Sequence, residues 1–348
     1  MPIISDYQQV LEEYRKAAEK KISLPVFCSE DRETLEAILA SVLEYGEEIG
    51  VKDLPVIPAW TSRYPDRGQM RLITVNGNPV LGTKLMFSDL HIFMDEASPY
   101  RFLKVMPHLD HAFPWLDGDI LEGFIEQFAS VMHDASKKPF EENIKLTSEF
   151  VEKVKGRVVV EGAVDEIIEN KDDGIKSELT TPEQALMFLQ KTGVDIIVPN
   201  VGTEHRATTD KVQYNSDQAR KIQEKVGSIM CLHGSSSVEP EKLSLLPDDG
   251  FIKVNIYTTL AVHGGQAVGR KVLKNIGNIF TEKQLKEFID KGILTNKVLD
   301  IGYGETIVPI KPKLSGLANP QRRDAWFLAV KEKCKDFLKV FNYDRFAV

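Results

Sequence analysis

Eight short apolar runs punctuate this chain, and most are separated by stretches whose apolar residues recur at helical spacing. The runs are LPVFCS, LPVIPAW, FLKVMPHLDH, ASVMHD, RVVVEGAV, VDIIVPNV, SIMCLHG and FIKVNIYTT. Read as buried strands alternating with helices, they predict an α/β fold. The expected architecture is a (β/α)8 TIM barrel occupying residues 1–348 as one domain. A doubly wound open sheet is the alternative, and it would gather ligands at a switch point. The barrel is favoured because candidate metal ligands follow three separate runs, and a barrel collects its strand ends in one mouth. Two additions to the plain barrel are expected. Asn76-Gly77, flanked by LITV and PVL, reads as an inserted hairpin near 71–82. The tail from Pro320, QRRDAWFLAVKEKCKDFLKVF, reads as an extra C-terminal amphipathic helix packed on the barrel exterior.

The candidate chemistry starts at Lys104 to His111, KVMPHLDH, where an apolar run ends in two histidines that bracket an aspartate. A strand delivering His108, Asp110 and His111 at its C-terminal end places a metal ligand beside a proton donor. His205 follows VDIIVPNVGTE and His233 follows VGSIMCL, each just past an apolar run. One such histidine is usually packed or solvated, but three in equivalent positions point to a shared site.

Composition excludes several other classes. With 44 basic against 52 acidic residues the formal charge is −8, which argues against a general nucleic-acid binder. No apolar run approaches the roughly 20 residues needed to span a bilayer, and the opening MPIISDYQQVLEEYRKAAEKK lacks the pattern of a secretory signal. A cytoplasmic protein with no membrane partner is therefore expected. The three cysteines, Cys28, Cys231 and Cys334, are widely spaced and odd in number, which suits a reducing compartment.

Taken in order, HLDH, VMHDASKKPFEENI, VGTEH, LHGSSS and KVNIYTT resemble the blocks of class II, metal-dependent fructose-bisphosphate aldolases and their ketose-phosphate aldolase relatives. The resemblance runs from about Leu24 to Thr259 and is strongest after Pro107. It implies a zinc-dependent aldolase, or one using another divalent metal, with a monovalent cation as a further candidate cofactor. The reaction implied is cleavage or formation of a phosphorylated ketose through a metal-stabilised enediolate. Fructose 1,6-bisphosphate is the default substrate and dihydroxyacetone phosphate the shared fragment. The other readings are an aldolase-like barrel for a different ketose phosphate and a non-catalytic metal-binding partner subunit. A homo-oligomer, dimer or tetramer, is expected.

By the same resemblance His111, His205 and His233 are metal ligands, and His108 is structural or supports a ligand. Asp110 matches the residue that exchanges a proton with the C4 oxygen, although the sequence alone leaves open that it orients a ligand instead. Asp134 matches an aspartate that holds a ligand or the catalytic loop. Gly202, Gly234, Ser235, Ser236, Asn255 and Thr258 correspond to the phosphate-binding loops, whose amides and hydroxyls hold a dianion without a basic protein.

The chain departs from the family pattern at several places. Arg206 stands where glycine is expected and is a candidate for an anionic substrate group, with solvent or Asp210 as its other destination. Tyr257 replaces Asp or Asn, and Cys28 replaces Asn. The fifth run offers only Glu161 as an acidic group for the metal side, in a register uncertain by two residues. An ungapped match then puts Glu169 at the base that moves the C3 proton, with Glu166 as the substitute.

Overall fold

All eight apolar runs fold as parallel strands, and they close into a ring. In this computed structural model, which describes residues 3–65, 67–166, 178–204, 214–300 and 319–347, the strands are β1 (Leu24–Cys28), β2 (Pro55–Thr61), β3 (His108–Ala112), β4 (Ser130–His133), β5 (Val159–Ala163), β6 (Ile196–Val198), β7 (Met230–Leu232) and β8 (Phe251–Ile256). Each pairs in parallel with its sequence neighbour, and β8 returns to pair with β1, so no edge is left unpaired. The ring is the expected (β/α)8 barrel. A two-residue extension, Lys104–Val105, pairs with the start of β2 ahead of β3.

Closure explains the composition of the strands. Every residue of these eight strands is buried, which is why they read as continuous apolar runs and not as alternating ones. The outer layer includes α1 (Arg32–Ile49), α2 (Phe140–Val154), α3 (Pro182–Thr192) and α4 (Ser216–Val226). Local chemistry starts these helices: Thr181 and Gln184 form a reciprocal capping box before Pro182, and Asp31 and Asn215 accept from backbone amides of the first turns they precede. An N-terminal helix, Tyr7–Glu19, lies across the N-terminal strand ends; Tyr7 donates to Asp195 at 2.7 Å, and Tyr14 lies 3.5 Å from Ser130 at the start of β4.

The expected hairpin near 71–82 is not there. Gln69–Leu72 forms a short helix and Pro79–Phe93 a long one, joined by a turn in which Gly77 takes φ 68°. Asn-Gly supplies that left-handed turn equally well between helices and between strands. The flanks decide: the Asn78 side chain caps Leu81, and Pro79 lacks the amide a ladder needs but suits the first helical turn. Val75 is wholly exposed, so LITV has no sheet face to bury.

Contacts divide the chain into two compact units, residues 1–259 with 334–348, and residues 260–333. The first holds the barrel. Within it the end of the C-terminal helix Asn319–Val340 packs on the barrel exterior, as expected: Phe337 lies 6.4 Å from Phe27, Lys335 pairs with Glu48, and Tyr343 just beyond donates to the Pro55 carbonyl at 3.0 Å. The second has its own small core of Ile276, Leu285 and Val298, packed with Phe280, Phe288 and Leu294. No helix among the described residues is long and apolar enough to cross a membrane.

Candidate active site

The barrel interior is polar at its centre. His108, Glu161 and Lys253, from β3, β5 and β8, are fully buried and linked. Lys253 Nζ donates to Glu161 Oε2 at 2.5 Å and to His108 Nε2 at 3.0 Å. An ammonium can only donate, so His108 Nε2 must accept, and its Nδ1–H is directed to Ser130 Oγ at 2.8 Å. Burial and the Lys253 charge lower the His108 pKa to about 3, keeping the imidazole neutral. Burial opposes charge on Lys253 and on Glu161 alike; their mutual attraction overrides it, raising the lysine pKa and lowering the carboxyl well below its usual range. His108 is thus a buried, neutral imidazole held between Lys253 and Ser130.

One turn of strand nearer the C-terminal mouth, the backbone departs from regular geometry. Successive side chains of a strand point to opposite faces, so Asp110 beside His111 should place one of the two outside the barrel. Instead the pairing of β3 with β4 shifts register between Leu109 and Ala112, and His111 takes φ 46°, a left-handed conformation costly for a side chain with a Cβ. The bulge turns His111 inward, so both residues are buried, with Asp110 Oδ1 3.9 Å from His111 Nε2. Asp134 Oδ2 holds His111 Nδ1 at 2.7 Å, while its Oδ1 accepts from the Ser136 amide and hydroxyl. That contact fixes the His111 ring and leaves Nε2 for the site.

His233, just past β7, meets the same point. Its ring centroid is 4.9 Å from that of His111, and its Nε2 lies 2.9 Å from Glu161 Oε1. Asp110, His111 and His233 each offer a ligand atom within 4.8 Å of the others, and Glu161, Cys231 and His233 form a second such group. The donor set, imidazole with carboxylate in a buried setting, fits a divalent ion. Asp110 is further fixed by Asn255 Nδ2 at 2.9 Å, Arg67 Nη2 at 3.2 Å and Cys28 Sγ at 3.6 Å. Burial alone would raise its pKa, but the imidazoles of His111 and His233 and the Arg67 guanidinium hold it well below the ordinary carboxylate value.

Cys28, Arg67, Asp110, His233, Gly234, Ser235, Ser236, Asn255, Tyr257 and Thr258 line one pocket at the C-terminal strand ends. It therefore gathers residues from β1, β3 and β8 and from the segments that follow β2, β7 and β8. Gly234 must be glycine: its φ is 70°, and a Cβ there would lie 2.7 Å from the Glu204 carbonyl oxygen. That close approach carries the LHGSSS loop onto the VGTE loop, where Thr203 donates to the His233 carbonyl and Glu204 N to Ser237 Oγ. Gly202 lies in the VGTE loop with its amide on Asn200 Oδ1, and Ser235 donates to the Asn255 carbonyl.

Thus His111, His233, Asp110, Asp134, Glu161, Asn255 and the Gly234 to Ser236 loop converge on one mouth. Glu169, His205 and Arg206 lie outside the described residues. Two participants were not singled out from sequence. Lys253 sits in KVNIYTT, whose lysine on an otherwise apolar run was its signal. Arg67 lies just ahead of the supposed hairpin, and its signal was a basic residue shortly past a strand end, on the catalytic face of a barrel.

Comparison with known proteins agrees with this geometry. The family model described as fructose-bisphosphate aldolase class-II matches residues 8–300. A fructose-bisphosphate aldolase of Geobacillus stearothermophilus is 28% identical over 183 residues, 51% of this chain and 62% of its own length. The Escherichia coli protein YdjI is 28% identical over 185 residues, 50% of this chain and 63% of its own. The matched segments thus span less than two thirds of these relatives. The crystal structure of a fructose-bisphosphate aldolase from Campylobacter jejuni shares the fold with a TM-score of 0.71 at 19% identity, covering 98% of this chain and 95% of that one. From the match along residues 8–300, this chain belongs to the class-II fructose-bisphosphate aldolase family.

Proposed function

We propose that this protein is a divalent-metal-dependent aldolase that breaks or forms the C3–C4 bond of a phosphorylated ketose. Fructose 1,6-bisphosphate is the first substrate to test and dihydroxyacetone phosphate the shared fragment. The observation that carries the reading is the bulged end of β3, which puts a carboxylate and an imidazole into the same buried mouth, facing a second imidazole from β7. A purely structural ion site has no use for a separate carboxylate aimed at the substrate side.

His111 and His233, joined by His205, would hold the ion, zinc by the character of these donors. Glu161 serves the metal side through its 2.9 Å contact with His233. When bound, the ion supplies Lewis-acid stabilisation of the negative charge that develops on the three-carbon fragment. Asp110 takes the proton of the C4 hydroxyl during cleavage and returns it to the aldehyde oxygen during condensation. Its ionised state, secured by Arg67 and Asn255, suits it to the first of these roles. Asp134 acts by holding His111. Gly202, Gly234, Ser235, Ser236, Asn255 and Thr258 form the proposed phosphate-facing rim, and Glu169 is the proposed base for the C3 proton.

Metal analysis joined to a coupled assay for triose phosphate release from a panel of ketose phosphates tests this. About one divalent ion per chain and cleavage that a chelator abolishes are expected. Full metal content with no cleavage or condensation of any panel member would refute the aldolase assignment and leave a metal-binding barrel without this chemistry.

A further inference from the structure

Arg67 is the one guanidinium, and no lysine ammonium joins it, among the described residues that line the pocket, and its setting is that of a built site. Only 8% of the residue is exposed. Its guanidinium carbon lies over two aromatic rings, 4.8 Å from the Tyr64 centroid and 4.5 Å from that of Tyr257. Tyr257 is itself held by a 2.8 Å hydrogen bond to Glu30. A guanidinium donates only from its edge. One edge donor, Nη2, reaches Asp110 Oδ2 at 3.2 Å; Nε is buried and has no hydrogen-bond partner among the described residues. A buried cation that lines a pocket and has more N–H donors than its contact with Asp110 uses is an arrangement that can receive an anionic oxygen.

Position says which part of a substrate would supply that oxygen. Asp110 Oδ1 faces His111 and Asn255, whereas Oδ2 faces Arg67 and Cys28. Arg67 therefore lies across Asp110 from the imidazole pair. The next step rests on the aldolase reading above. If Asp110 exchanges a proton with the C4 oxygen, groups beyond Asp110 border the half of the substrate that leaves as the aldehyde. We infer that Arg67 receives a carboxylate or phosphate oxygen on the aldehyde-derived half of the substrate and selects short anionic aldehydes over neutral ones. Tyr64 and Tyr257 are positioning residues that hold the guanidinium at the pocket wall.

The test is condensation of dihydroxyacetone phosphate with three-carbon aldehydes that differ in charge: glyceraldehyde, glyceraldehyde 3-phosphate and tartronate semialdehyde. Wild type should favour one of the two anionic aldehydes, and which one identifies the anion as phosphate or carboxylate. Arg67→Gln should lower the anionic-to-neutral ratio of kcat/KM about tenfold or more, mainly through KM, as expected for a lost charge-assisted contact. Arg67→Lys, which keeps the charge but not the planar edge, should recover part of that ratio. Equal losses for neutral and anionic aldehydes would overturn the inference and make Arg67 an accessory of Asp110; so would an unchanged ratio. If wild type condenses none of the three, the aldolase reading fails separately. Inorganic phosphate and malonate titrated calorimetrically into wild type and Arg67→Gln then decide the site: binding confined to wild type retains it, and equal or absent binding removes it.

Discussion

His111 shows how much a single residue decides here. Its positive φ brings a side chain that strand alternation would place outside the barrel into the site, and Asp134 then fixes the ring. Asp134→Ala should therefore lower metal affinity about 10- to 100-fold while the barrel stays folded, measured by competition with a chelating dye. An affinity equal to wild type would mean that the bulge alone orients His111. His233→Ala should empty the site under mild chelation, and retention of the full metal content would remove His233 from the ligand set. Asp110 stands apart from both, because its proposed role is on the proton path. Asp110→Ala should keep the metal and lose cleavage by about 100-fold or more. Loss of metal, with activity restored by excess zinc, would instead make Asp110 a residue that orients a ligand.

At the scale of elements, the segment between β2 and β3 is the instructive one. Its turn signal was read correctly as a turn and wrongly as a strand connection, because Asn76-Gly77 specifies a left-handed backbone and says nothing about what flanks it. The two helices that form there pack closely at Gly82, where a Cβ would fall 1.6 Å from the Met70 carbonyl oxygen. Gly82→Ala gains up to about 1 kcal/mol of helix propensity. It must also push two backbones apart, a cost on the order of 1–3 kcal/mol or more. A net loss of stability in denaturant unfolding is expected, and a more stable variant would show that the helices are not packed as described. Short β6 and β7, three residues each, illustrate the converse: their apolar runs were plain in sequence, but how much of each run pairs is set by their neighbours.

For the whole molecule, the site joins elements far apart in sequence, from Cys28 to Thr258, so an ion bound there ties the ring together. An ion that binds only the folded chain should stabilise it, by about 2.7 kcal/mol at a free concentration 100 times its dissociation constant. Chelation should accordingly lower the apparent Tm by several degrees, and His233→Ala should show no such shift. The same shift in wild type and variant would mean that the chelator acts elsewhere.

What the chain determined by itself was whatever near neighbours encode. Apolar runs long enough for a strand, helical periodicity between them, caps such as Thr181 and Asn215, and the order of His108, Asp110, His111 and His233 were all legible, and with them the barrel and most of its mouth. Three things depended on tertiary structure. The inward turn of His111 requires the register shift between β3 and β4, a property of the pairing and not of either strand. The pairing of Arg67 with Asp110 spans 43 positions and exists only because β2 and β3 are neighbours in the ring. The buried charge of Lys253 is tolerated only because closure brings Glu161 from β5 across the barrel to meet it. Spacing along a chain specifies periodicity and turns, whereas the sign of a strained φ and the partner of a buried charge are set by contacts between residues that the sequence keeps far apart.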